Sequence, residues 1–262
     1  MKVLIAGKGG VGKTTISALT AHLLADKGYN VIALDTDSIP NLALNLGIPY
    51  EKAKEIIPLS KNEHLIEERT GAKPGNSWGS LFSLTPKVND IVEKYGITVK
   101  PNLKLVIVGS IDQSNEGCLC PAIALAKAFL KHLLTSSKEV VIVDSEAGAE
   151  VFGRGLAQNF DALICVSEPT LKSLTISKKL IEMGRELGIK KLHLAINKVK
   201  DQQKALSIKN KVFPETSSIP TNLIIFDENI IKAENEGKGV QSIPDNSPAL
   251  TDVKNLIQSI IL

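Results

Sequence analysis

The chain has 262 residues, which is enough for one large domain or two small ones. Hydrophobic residues make up 43% and aromatic residues 4%, so the core must be aliphatic, as in parallel sheets covered by helices. A net charge of +3 is too small to indicate nucleic acid or anionic lipid by itself, and three cysteines cannot build a disulfide framework. We therefore expect a cytoplasmic α/β protein.

Short apolar runs alternate with helical segments along most of the chain. This alternation predicts a doubly wound, mostly parallel α/β sheet flanked by helices, which binds its ligand at the carboxyl ends of the strands. The predicted strands are 3–6, 31–35, 103–109, 140–144, 162–167, 192–197 and 222–226, and the main predicted helices are 13–27, 121–135, 171–187 and 201–215.

Residues 50–102 interrupt the alternation. Glycine and proline are frequent there, and Trp78 is the single tryptophan of the chain. We predict an insertion over one edge of the sheet, with helices at 62–69 and 86–94. The whole chain is expected to form a single domain that carries this insertion.

The first strand runs into a glycine loop, GKGGVGKT, which extends from Gly7 to Thr14. This is the pattern G-x-x-x-x-G-K-[ST], in which backbone N–H groups and a helix N-terminus surround phosphate oxygens. Lys13 is expected to hold the β- and γ-phosphates, and the Thr14 hydroxyl to bind Mg²⁺. A glycine turn without a ligand is the alternative, and the strand–loop–helix context argues against it. The predicted ATP-binding residues of the loop are Gly9, Gly10, Val11, Gly12, Lys13, Thr14 and Thr15.

Polar residues follow three other predicted strands. Asp35 and Asp37 end the second strand, Asp144 ends the strand at 140–144, and Asn197 with Lys198 ends a later one. Carboxylates in these places suit a magnesium shell or a residue that orients a water molecule. Ordinary turn chemistry after a strand is the alternative for the aspartates and for the asparagine.

Cys118 and Cys120 stand one residue apart, directly before Pro121. Two thiolates are half of a tetrahedral metal site, and Cys165, in a predicted strand, is badly placed to help. Two copies of the chain related by a twofold axis would supply four thiolates, which suit Ni²⁺ or Zn²⁺. Pro121 is expected to open a helix, whose N-terminus lowers thiol pKa values. The alternative is a pair of neutral, buried cysteines.

The loop GKGGVGKT, with its additional Lys8, resembles the deviant Walker A loop of the family that includes the MinD and ParA ATPases and the nitrogenase iron protein. The resemblance implies that Lys8 reaches across a homodimer to the partner's ATP and stabilises charge there. It further implies roles for Asp37 at the attacking water, Asp35 and Asp144 near Mg²⁺, and Asn197 and Lys198 at the adenine.

Three segments together resemble the CooC-type nickel-insertion ATPases: IEERTGAKPG, EGCLCPAIALAKAFLKHL and DSEAGAEVFGRG. The resemblance implies an ATP-dependent metallochaperone that dimerises, holds Ni²⁺ or Zn²⁺ between paired Cys-x-Cys motifs, and serves apo carbon monoxide dehydrogenase or a related nickel enzyme. One departure is Val151, which follows Glu150 where that type usually has histidine.

Two other activities of the wider family remain alternatives. An ATP-dependent iron–sulfur reductase would need a cysteine seven residues beyond Asp144, where Val151 stands. A positioning ATPase would need a membrane or nucleic-acid surface. The C-terminal segment 247–262 has an apolar face but only Lys254 as a basic residue, so we interpret it as a helix packed on the sheet, with neither membrane nor nucleic acid as a partner.

Overall fold

A computed structural model gives the fold of the chain. It describes residues 1–37, 39–74, 81–109, 120–136, 138–145, 159–214 and 219–261. The strands are β1 (Lys2–Gly7), β2 (Val31–Asp35), β3 (Ile97–Lys100), β4 (Leu103–Ile107), β5 (Val140–Asp144), β6 (Ala162–Ser167), β7 (Lys191–Val199) and β8 (Thr221–Ile225).

These strands form one sheet in the order β3-β4-β2-β5-β1-β6-β7-β8. Every neighbouring pair is parallel except β3 and β4. β1 lies inside the sheet between β5 and β6, and each of its residues is buried, which explains the continuous apolar run that follows Lys2. The predicted doubly wound, mostly parallel sheet is confirmed.

Helices cover both faces of this sheet. They are α1 (Lys13–Asp26), α2 (Leu42–Asn45), α3 (Tyr50–Ala53), α4 (Glu63–Thr70), α5 (Ile91–Tyr95), α6 (Cys120–Ser136), α7 (Leu171–Glu186), α8 (Gln202–Val212), α9 (Glu228–Asn235) and α10 (Pro248–Ile261). Among the residues that the structure describes, no helix has both the length and the apolarity to cross a membrane.

Two aliphatic layers make the core, one on each face of the sheet. The layer under α4, α6 and α7 includes Leu65, Phe129 and Leu174, and the layer under α1 and α10 includes Leu19 and Ile257. The C-terminal segment is therefore a helix that packs on the sheet, as its pattern predicts.

Several local bounds differ from the structure. The helix predicted at 86–94 is shorter and begins at Ile91, after a turn at 89–90. The helix predicted at 201–215 ends at Val212, and the strand predicted at 103–109 ends at Ile107. β3 was not predicted, because a short, partly exposed edge strand has no clear apolar run. It joins part of the 50–102 segment to the sheet. β7 extends beyond its predicted end, to Val199.

Candidate nucleotide site

The glycine loop connects β1 to α1 with backbone angles that glycine tolerates. Gly10 has φ of 80° and Gly12 has φ of 94°, in the left-handed region that other residues avoid. α1 begins directly after Gly12, so its unpaired N–H groups face the loop. The Lys13 ammonium lies back over the loop and donates to the Lys8 carbonyl oxygen at 3.3 Å. This is a loop with anion-binding geometry.

A cavity of about 650 Å³ opens on the loop at the carboxyl ends of the strands. Its volume suits a nucleotide. Most of the predicted loop residues and Asp37 line it, whereas the buried carboxylates Asp35 and Asp144 lie outside the lining set. The predicted site residues in the lining are Gly9, Gly10, Gly12, Lys13, Thr14, Thr15, Asp37, Asn197 and Lys198.

Two buried carboxylates lie side by side at the ends of neighbouring strands. Asp35 and Asp144 are paired residues at the ends of β2 and β5. Burial, reinforced by the charge of Asp35, raises the pKa of Asp144 to about 7. Burial also raises the pKa of Asp35 to about 6. The hydroxyl of Thr14 hydrogen-bonds to Asp144, and Ser17 Oγ donates to its Oδ1 at 3.0 Å.

This donor set fits Mg²⁺. Hard cations prefer carboxylate, hydroxyl and water oxygens, and Thr14 with Asp144 supplies the first two beside the phosphate loop. If Mg²⁺ binds there, it would offset the negative charge of the phosphates held by the loop. Asp35 is further occupied by its own chain, because its carboxylate accepts the N–H groups of Asp37 and Leu42 at 3.0 and 2.9 Å. Asp35 therefore suits a position beside the Mg²⁺ ligands and not a ligand position itself.

Two buried serines allow a matched test of the Asp144 contact. Ser17 is 0% exposed and bonds to Asp144, whereas Ser177 is equally buried in α7 and its Oγ has no partner among the described residues. We expect Ser17→Ala to lower the free energy of unfolding by about 1–3 kcal/mol, because the buried Asp144 oxygen loses this donor. Ser177→Ala should leave it unchanged or raise it. Urea unfolding measures both, and equal effects of the two changes would contradict the assigned contact.

Asp37, which the resemblance places at the attacking water, lines the cavity. Its Oδ1 accepts the N–H of Ile39 at 3.0 Å. This turn holds the carboxylate near the phosphate loop, where the predicted role at an attacking water is chemically reasonable. That role stays a prediction.

Asn197 and Lys198 contact the phosphate loop itself. Asn197 Nδ2 donates to the Val11 carbonyl oxygen at 2.8 Å, and Lys198 Nζ donates to the Gly10 carbonyl oxygen at 2.7 Å. The family resemblance implied that both residues lie at the adenine. Both line the cavity, so a base contact by the remaining Asn197 oxygen stays open.

One side of the cavity is formed by residues that no sequence motif indicated. It is formed by the end of β8 and by α9, with Phe226, Ile230 and Glu234 among its residues. Glu234 Oε1 accepts the Thr15 hydroxyl at 3.0 Å. The sequence carried a signal for this helix, because aspartate is a common N-cap residue and Asp227 directly precedes it. In the structure, the Asp227 side chain accepts the N–H of Asn229.

The predicted thiolate site lies mostly outside the described residues. Cys118 lies beyond them, and so do Glu150 and Val151. Cys120 is the first residue of α6. Within the described ranges, no group of three or more His, Cys, Asp or Glu side chains could hold a metal ion. Cys165 is fully buried in β6, and burial raises its thiol pKa to about 12.

Comparisons with known proteins indicate nucleotide binding. Residues 2–240 match the CobQ/CobB/MinD/ParA nucleotide binding domain. The chain is 40% identical over its full length to an uncharacterized ATP-binding protein of Methanocaldococcus jannaschii, covering 98% of that protein. It is 37% identical, again over its full length, to the carbon monoxide dehydrogenase accessory protein CooC of Rhodospirillum rubrum, covering 96% of it.

Solved structures share the fold at low sequence identity. A ParA family ATPase from Chlorobium tepidum superposes with a TM-score of 0.70 at 18% identity, covering 98% of this chain and 97% of that one. The MinD cell division protein of Aquifex aeolicus gives a TM-score of 0.64 at 18% identity, covering 99% and 96%.

Proposed function

The chain is an ATP-binding ATPase of the CobQ/CobB/MinD/ParA nucleotide-binding family, and we propose that it uses ATP to capture and release Ni²⁺ at thiolates shared by two copies of the chain. Its client would be apo carbon monoxide dehydrogenase or a related nickel enzyme. The observation that carries the proposal is the Cys118-Leu-Cys120-Pro121 motif in a chain that is similar along its whole length to CooC.

The position of α6 in the fold supports a link between nucleotide and metal. α6 follows β4, which is parallel to the central strands, so its first turn belongs to the carboxyl edge of the sheet, where the phosphate loop also lies. α6 begins at Cys120, and its N-terminal dipole favours an anionic thiolate. Four thiolates from two such motifs would suit Ni²⁺ or Zn²⁺.

The nucleotide would act as the switch between two states. Lys8 belongs to the loop that binds the phosphates, and its ammonium is proposed to reach the partner's ATP only in the closed dimer. Because this contact would exist only in the closed dimer, ATP would shift the equilibrium between the open and closed states toward the closed one. Lys13 and Thr14 would hold the phosphates and Mg²⁺, and Asp37 would orient the attacking water. Hydrolysis would remove the γ-phosphate, open the dimer and release the metal.

Metal titration at defined nucleotide occupancy tests the proposal. Ni²⁺ binding is measured by equilibrium dialysis, with ADP or a non-hydrolysable ATP analogue, and dimerisation by light scattering. We expect one Ni²⁺ per dimer, bound more tightly with the analogue. Cys118→Ser and Cys120→Ser should each lose Ni²⁺ while keeping ATP affinity. Cys165→Ala is the matched control, because it removes a buried thiol from β6 and should keep the metal.

Three outcomes would contradict the proposal. Nickel stoichiometry that survives removal of both thiols of the pair would place the ion elsewhere. A purified protein with the visible absorbance of an iron–sulfur cluster would favour the reductase. ATP-dependent sedimentation with liposomes or DNA, without nickel binding, would favour a positioning ATPase.

A further inference from the structure

The end of β7 has an irregularity that the sheet does not need. Ile196 pairs with Leu223 and Val199 with Ile225, so β7 has one more residue than β8 between these pairs, which is a β-bulge. Within it, Lys198 has φ of 58° and is, among the described residues, the one non-glycine residue with positive φ. Strain of this kind persists where neighbouring contacts enforce it, and it concentrates at functional sites.

Because of the bulge, the side chains of Asn197 and Lys198 both contact the phosphate loop. In a regular strand, Asn197 and Lys198 would point to opposite faces. Here they donate to two consecutive carbonyl oxygens of the phosphate loop, Lys198 to Gly10 at 2.7 Å and Asn197 to Val11 at 2.8 Å. Lys198 thus contacts a loop that lies 188 residues away in the sequence.

The Lys198 ammonium has a second partner, Glu168, whose Oε1 lies 2.9 Å away. Glu168 follows β6, and its own backbone is held in place, because its N–H donates to Ser173 Oγ at 3.0 Å. The ion pair therefore fixes the ammonium over Gly10 from a rigid point on the neighbouring strand. The Lys198 and Glu168 side chains are 43% and 31% exposed, so water screens the ion pair and it adds little to stability. Its main effect is to orient the Lys198 ammonium.

Holding a carbonyl oxygen also orients the next N–H group. The peptide bond is planar, and no described peptide is cis, so each C=O points opposite to the N–H of the following residue. When Lys198 and Asn197 hold the carbonyls of Gly10 and Val11, the N–H groups of Val11 and Gly12 must point away from them. Consecutive N–H groups turned to one side form an anion-binding nest.

We propose that Lys198 and Glu168 are positioning residues that orient the Val11 N–H for a nucleotide β-phosphate. Together with Asn197 they form a latch, defined here as Lys198 and Asn197, which hold the Gly10 and Val11 carbonyls, and Glu168, which holds the Lys198 ammonium. The proposal reassigns Lys198 from the base to the phosphate end of the nucleotide. It depends only on nucleotide binding, and not on nickel.

The comparison of ADP with AMP separates these two assignments. AMP lacks the β-phosphate, so a latch residue should affect ADP affinity alone, whereas a base contact should affect both nucleotides. For Lys198→Gln, we expect ADP affinity to fall on the order of tenfold, as for other residues that orient a binding group, with AMP affinity unchanged. Calorimetry measures ADP, and titration followed by NMR measures the weaker AMP. Lys204→Gln, at an exposed lysine of α8 without a latch contact, is the matched control.

Further variants separate the latch from simple destabilisation. Lys198→Gly accepts positive φ and removes the ammonium, so it should raise or maintain the melting temperature while still weakening ADP. Lys198→Arg should restore part of the ADP affinity. Glu168→Gln should weaken ADP in the same direction, and the double change Lys198→Gln/Glu168→Gln should be no worse than Lys198→Gln alone, because both act through one contact.

Two results would overturn the inference. One is wild-type ADP affinity in both Lys198→Gln and Lys198→Gly. The other is an equal loss of ADP and AMP affinity, which would return Lys198 to the adenine. A failure to bind nickel would contradict the proposed function but not the latch, so the two proposals are tested independently.

Discussion

Replacement of Lys8 by alanine is expected to reduce ATP hydrolysis by on the order of 1,000-fold or more, the effect of removing a charge supplied across an interface to the transferred phosphoryl group. ADP affinity should stay near that of the wild type, because the Lys8 side chain is not needed to hold nucleotide within its own chain. Lys13→Ala should instead lower affinity for ADP and ATP together, because its buried ammonium lies over the loop. Lys27→Ala, at an exposed lysine after α1, is the control.

Mixing two inactive variants tests whether Lys8 acts in the partner's site. In a mixed dimer of Lys8→Ala and Asp37→Ala chains, the site in the Lys8→Ala chain keeps its own Asp37 and receives Lys8 from the other chain. Random pairing should then restore roughly a quarter of wild-type hydrolysis, since half of the dimers are mixed and each has one intact site. If the mixture stays inactive while both chains dimerise, Lys8 acts within its own chain.

The strands that were predicted well are those buried on both faces. Val31–Asp35, Val140–Asp144 and Ala162–Ser167 match their predicted bounds, because a strand covered by helices must be apolar throughout and is ended by polar residues. β3 lacks this signature because it is an edge strand that pairs on one side only. Its place in the sheet depends on pairing with β4, which is tertiary information.

The site was predicted as far as local sequence encodes it. The phosphate loop and the strand-end aspartates were identified because one short segment carries each pattern. The contacts of Glu234 with Thr15 and of Lys198 with Gly10 join residues far apart in the chain, and the second depends on a bulge that no residue pattern announces. Residue types therefore predicted the phosphate end of the cavity, whereas the far side, built by β8 and α9, required the fold.

The second large effect is expected at Gly12, where strain and a close contact coincide. An alanine there would keep φ of 94°, and its Cβ would overlap Asn197 Nδ2. Asn197 is 8% exposed and already bonded to the loop, so it cannot move without releasing Val11. We expect Gly12→Ala to lower the free energy of unfolding by about 3 kcal/mol, from left-handed strain and overpacking together. Because the Gly12 N–H would no longer be oriented, ADP affinity should fall on the order of 100-fold.

Gly28→Ala separates the two causes. Gly28 has φ of 87°, but a Cβ there meets open space, so its substitution carries strain without a contact. It should lower the free energy of unfolding by about 1–2 kcal/mol and leave ADP affinity unchanged. Gly12→Ala/Asn197→Ala removes the side chain that the new methyl group would meet, so it should recover part of the stability lost in Gly12→Ala. Urea unfolding and calorimetry with ADP measure the three variants. If the double variant is no more stable than Gly12→Ala, the contact with Asn197 is not what limits this position, and backbone strain alone explains the glycine.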